Sequence, residues 1–188
     1  MIQKVILSIA IVVVILSLVL VALQWEEIQL KCALDRYNRM LDGVLPEDLE
    51  LTIYYLPHDI VTRAPLTTER LMRMDETVTI VVTSKELAKH TQTLRQLNTS
   101  SVQISEGTWG LNARVYYVFK VGDRVLLEVA MQQFVGDDQA FAAFVNGVHV
   151  KRSSKLYEII LPFLSETDCE KMGLVISDET EAGYVSWS

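Results

Sequence analysis

The chain has 188 residues, half of them apolar, with 24 acidic against 17 basic side chains and a formal net charge of −7. That length fits one ordinary domain plus a small extra element. An acidic balance with no clustered basic face excludes the electrostatic footprint of a nucleic-acid-binding protein.

Residues 1–4 form a short tail carrying Lys4. Val5 to Leu23 then reads VILSIAIVVVILSLVLVAL, nineteen residues without charge, with Ser8 and Ser17 as the polar members. As a helix this run spans ~28 Å, close to the ~30 Å hydrocarbon core of a bilayer. Lys4 and Trp25 flank it as interface anchors do. A cleaved signal peptide has an apolar region of ~7–15 residues and a small-x-small site. The nearest match here, Leu20-Val21-Ala22, has a bulky outer residue. Residues 5–23 are therefore expected to be an uncleaved transmembrane anchor, with the lipid bilayer as partner through Val5 to Leu23. Lys31, Arg36 and Arg39 would keep the following domain inside by the positive-inside count, but long domains translocate largely regardless of charge. The short basic tail has the form of a signal-anchor. The expectation is a single-pass protein of the cell membrane with its C-terminal domain outside the cytoplasm.

Residues 24–43 continue as a juxtamembrane helix. Leu30, Leu34, Tyr37 and Leu41 fall on one stripe, and Gly43 is a stop signal. The stripe is either a homodimer seam or a face packed against the chain's own domain. Residues 44–164 form that domain. LELTIYYL at Leu49–Leu56 alternates as a strand does, and Pro57 ends it. Thr67 caps a short helix over Thr68–Met74. TVTIVV at Thr77–Val82 is a strand. Thr83 and Glu86 have the spacing of a capping box opening a helix that runs to Leu97, with Leu87, Leu94 and Leu97 inward. Val102–Ile104 is a short strand. Leu111–Lys120 and Arg124–Gln132 are strands joined by a three-residue loop, Val121-Gly122-Asp123. Phe141–Val145 and Val148–Val150 flank Asn146-Gly147, which demands a type I′ turn. Ser153 or Ser154 starts the helix KLYEIILPFL, which Pro162 kinks or ends. Residues 165–188 carry six acids and one base. They read as an acidic C-terminal segment, with one turn of helix over Ser165–Met172 and fraying from Gly173. The element order predicts an α+β fold: a transmembrane helix, then an antiparallel sheet packed by two or three helices.

Candidate chemistry is sparse. The stretch TIYYLPHD brings Tyr54, Tyr55, His58 and Asp59 together in sequence. Adjacent strand residues point to opposite faces, so the two tyrosines do not line one pocket. His58 and Asp59 are the catalytic candidates, and a turn role for Asp59 is the competing reading. His90, with Glu86 one turn earlier, and His149 complete the histidines. No metal-ligand spacing, nucleotide loop or nucleophile signature occurs, so no metal or cofactor is expected. Trp109, between two strands, is a ligand platform or a core lid. With Tyr54 and Tyr116 it forms the candidate binding surface. Lys151, Arg152 and Lys155 are a basic trio facing lipid, cell-wall polymer or solvent.

The segments LELTIYYLPHDIVTRAPLTTERLM, ARVYYVF, AFVNGVHV and LYEIILPFL give residues 49–164 a resemblance to small membrane-anchored proteins of Gram-positive bacteria whose function is unknown. The resemblance implies a bacterial surface location and a compact α+β domain, and it carries over no site residue. The function expected is a membrane-anchored binding or accessory module acting on a protein or envelope partner. The alternatives are an envelope-associated enzyme using His58 and a carboxylate, or a membrane sensor subunit.

Overall fold

A computed structural model of the chain describes residues 24–105, 110–132, 143–151, 153–176 and 185–187. The expected anchor at Val5 to Leu23 lies outside the described residues, as do Trp109 and Arg152. Among the described residues no helix is long and apolar enough to cross a membrane.

The α+β class and the antiparallel sheet are as expected. Six strands lie in the order β2-β1-β3-β4-β5-β6, every neighbouring pair antiparallel. They are β1 (Leu49–Tyr55), β2 (Val78–Thr83), β3 (Val115–Val121), β4 (Arg124–Met131), β5 (Ala143–Val145) and β6 (Val148–Val150). Alternation assigns the two faces. Ile80, Ile53, Tyr117, Val129, Val145 and Val148 are cross-strand partners on one face, and most of them are fully buried.

That face is covered by helix α1 (Trp25–Asp42), which lies over β4 and β6. Its Leu30, Leu34, Tyr37 and Leu41 are all buried in the main core, so the stripe packs against the chain's own domain. Tyr37 packs its ring on Phe119 at 5.0 Å between centroids. Three hydrogen bonds fasten the helix to the segment near Leu94: Tyr37 Oη to Leu94 O at 3.3 Å, Asn38 Nδ2 to Leu97 O at 3.0 Å, and Arg95 Nη2 to Leu41 O at 2.8 Å. Trp25 and Ile28, at the other end of the helix, stay 53% and 41% exposed.

Several local expectations are corrected. Thr67 does cap helix α2 (Thr68–Arg73), accepting from Arg70 N at 3.3 Å. Thr83 does not cap: it ends β2 opposite Glu50, makes no side-chain cap bond, and Glu86 takes Lys89 instead at 2.9 Å. The expected long helix is two short ones, α3 (Ser84–Leu87) and α4 (Thr91–Leu94), with a 3-10 turn at Ala88–His90 between them. Thr91 Oγ1 bonds Ala88 O at 2.9 Å, the local competition by which threonine interrupts helices. Leu87, Leu94 and Leu97 are nonetheless fully buried as expected.

The hairpin between β3 and β4 pairs Val121 with Arg124, so its loop is the two residues Gly122 and Asp123. β3 starts at Val115, later than expected, because Ala113 N and Asn112 Oδ1 are engaged with Leu66 at 2.8 and 2.9 Å. Asn146 and Gly147 have φ of 49° and 76°, the type I′ signature. Val102–Ile104 is no strand of its own. Ile104 makes a single bridge to Val150, Ser105 N bonds His149 O and Lys151 N bonds Gln103 O, so this segment covers the outer edge of β6. Helix α5 (Lys155–Glu158) gives way to a 3-10 turn at Leu161–Phe163 around Pro162.

Among the described residues a capping box forms at helix α6 (Glu166–Lys171), where Ser165 Oγ accepts from Asp168 N at 3.1 Å and Asp168 Oδ2 accepts from Ser165 N at 3.0 Å. Cys169, Met172 and Leu174 beyond it belong to the main core. Of the segment expected to fray from Gly173, Leu174–Ile176 (β7) pairs with Val185–Trp187 (β8) in a separate two-stranded sheet, and residues 177–184 and 188 lie outside the described residues.

Candidate functional site

Among the described residues the second face of the sheet is covered only in part. A smaller core of Leu56, Leu66, Leu71, Ala113 and Val118 sits on it beneath α2. Tyr116 and Ala130 belong to that core too, and through them one cross-strand row runs from Thr79 and Tyr54 to Tyr116, Ala130, Phe144 and His149. Tyr54 stacks on Tyr116 with centroids 5.9 Å apart, and Phe144 stacks on His149 at 5.0 Å. Between the two stacks Ala130 contributes only a methyl group. The shortfall leaves a hollow of about 120 Å³, with Tyr116, Phe144, Ala130, Glu128 and Thr68 among its walls.

Among the described residues Glu128 is the one carboxylate lining this hollow, and Tyr116 Oη donates to its Oε2 at 2.9 Å. Burial, then the Glu128 carboxylate, push the Tyr116 phenol well above its ordinary value, so it stays a donor. A neutral phenol bonded to a carboxylate between aromatic rings can hold a small polar or cationic group.

The residues of TIYYLPHD part company. Tyr54 is half-buried on the partly covered face. Tyr55 is fully buried on the other face and donates to Asp168 Oδ1 at 2.6 Å. Burial raises the Tyr55 phenol first, and the Asp168 hydrogen bond and charge raise it further. For Asp168, burial alone would raise the carboxyl, but hydrogen bonds from Ser165 and Tyr55 outweigh it and hold the group below its usual range. His58 is exposed, and its backbone N–H and Nδ1 lie 2.8 and 3.1 Å from Lys171 O. Asp59 is exposed on the same connection. Arg114 Nη2 donates to Ile60 O at 2.8 Å and holds that connection just after Asp59.

The three histidines stand on different elements: the connection after β1, the 3-10 turn and β6. His90 packs edge-on against Phe163 at 5.2 Å rather than pairing with Glu86. Among the described residues no group of three His, Cys, Asp or Glu side chains could hold a metal ion. Of the expected binding surface, Tyr54 and Tyr116 come together, and Trp109 lies outside the described residues.

No known protein family, curated protein or solved structure matches this chain. Its function must therefore be argued from its own residues. Two of these, Glu128 and Phe144, escaped the sequence reading. The signal for Glu128 was a lone charge inside the apolar run LLEVAM. The signal for Phe144 was weaker, an aromatic two residues before Asn-Gly.

Proposed function

We propose that this chain is a single-pass membrane-anchored binding or accessory module, with its α+β domain held outside a bacterial cytoplasm. The observation that carries the reading is continuity. The apolar run Val5 to Leu23 ends two residues before α1 begins, and α1 is built into the domain core through Leu34 and Tyr37. A helix so placed transmits the position of an anchor to the sheet without a flexible linker. Trp25 and Ile28 are exposed at the end nearest the run, where interfacial aromatic residues sit. The hollow between Tyr116 and Phe144, with the Glu128 carboxylate in its wall, supports the binding reading by offering a small polar or cationic group a place between aromatic rings.

Alkaline extraction of membranes tests the anchor. The native chain stays in the membrane pellet. Val14→Arg, at the middle of the run, opposes insertion by about 3 kcal/mol and moves a large share to the supernatant. A native chain released by alkali would overturn the reading.

A further inference from the structure

The two edges of the six-stranded sheet are treated differently. Residues 103–105 cover β6, whereas β2 has no strand on its outer side among the described residues. An edge strand presents unpaired N–H and C=O groups to any passing chain, and proteins blunt such edges with charge, proline or bulges. The β2 sequence VTIVVT has none of these: it is six β-branched residues, and its pairing with β1 is regular throughout. Val81 is 56% exposed. Alongside the edge runs a groove of about 410 Å³ whose other wall is Pro162–Ser165. Ile80–Thr83 form the strand side of the groove, Phe163 and Leu164 form the facing side, and Glu86, paired with Lys89, also lines it.

Resting on the reading of this domain as a binding module, we infer that the groove receives an extended peptide segment of a partner protein. The segment adds to β2 as a seventh strand. Backbone groups supply the affinity, and apolar side chains at alternate positions enter the slot between β2 and Phe163. A β2 of six residues offers ~20 Å of ladder, enough for a segment of similar length. A second copy of this chain fits less well. A continuous sheet across a symmetric dimer has its two-fold axis perpendicular to the sheet. The side chains such a copy would bring to the slot, its own Ile80 and Val82, are already packed against its own main core. A separate segment brings side chains that are not so engaged.

The test uses the full chain in lipid nanodiscs and a fluorescent peptide, Lys-Val-Thr-Val-Thr-Val-Lys, with hydrogen exchange read at each β2 amide. In the free chain the outward amides of Val78–Thr83 exchange fast, and the peptide slows them at least about tenfold. The same peptide N-methylated at alternate residues loses its ladder bonds and binds at least about tenfold more weakly, a control that leaves the protein untouched. Val81→Lys weakens the native peptide about fivefold with no change in the melting temperature of the domain. Equal binding of the N-methylated peptide overturns the proposal. So does slow exchange of the outward amides before peptide is added, or protection that tracks dimer formation in sedimentation. Protection confined to the Tyr116–Phe144 hollow overturns the edge assignment while leaving the binding reading standing. Membrane attachment is read separately by alkaline extraction.

Discussion

At the scale of single residues, Tyr54 and Tyr55 are adjacent in sequence and divided by the sheet between them. Alternation in a strand made that division legible. It could not name Asp168, which lies 113 residues from Tyr55 and receives its hydroxyl. Partners at such separation are set by how α6 docks, and no local pattern encodes that. Tyr55→Phe should lower stability by about 1.5–3 kcal/mol near neutral pH, the cost of a hydrogen bond to a charged group. The sign of the pH dependence follows from Asp168. Its carboxyl is held below the ordinary aspartate value of ~4, so its contribution is present above that value and is lost as pH falls through the depressed one. Tyr55→Phe removes one cause of the depression. The stability gap between native and variant, measured by urea unfolding, should therefore narrow on acidification. A gap that widens below pH 4 would contradict the assignment. Gly147 gives a simpler case. Its φ is 76°, and a Cβ added there would touch nothing within 4 Å. Gly147→Ala should cost only the backbone term, about 1 kcal/mol, with the fold unchanged in its amide spectrum.

At the scale of elements, the sequence placed apolar stripes more reliably than it placed helix ends. The stripe of α1 and the inward Leu87, Leu94 and Leu97 are all buried, because burial follows side-chain periodicity. Helix continuity and capping failed together between Thr83 and Leu97. Thr83 was already held in the sheet ladder, Glu86 had Lys89 one turn away, and Thr91 bonded back to Ala88. The Thr-x-x-Glu spacing was present, but stronger neighbours claimed both ends. Ser165 and Asp168 met no such competition, and there the box formed. The hollow was hidden for a related reason. Leu126 falls at the register shift opposite Phe119 and Lys120, and counting alternate residues fails across it. The packing of α1 is tested by truncation. Leu34→Ala should cost about 2–5 kcal/mol in denaturant unfolding, as for other fully buried leucines. Trp25→Ala, at the exposed end, should leave domain stability within about 0.5 kcal/mol. Equal losses at the two positions would mean that α1 is not docked as described.

At the scale of the whole molecule, the proposed design is an anchor, a helix fixed to a core, and an antiparallel sheet with one edge covered and the other, among the described residues, open. The broad α+β class could be read from the order of strands and helices. The open edge could not, because strand order in the sheet depends on contacts far apart in sequence. The two cysteines offer a direct probe of where the domain stands. Cys32 is an exposed free thiol on α1, and Cys169 is a free thiol buried in the core. Intact cells treated with a membrane-impermeant maleimide should label the native chain and leave Cys32→Ser unlabelled until the domain is unfolded. Labelling of Cys32 that appears only after lysis would place the domain inside and contradict the account.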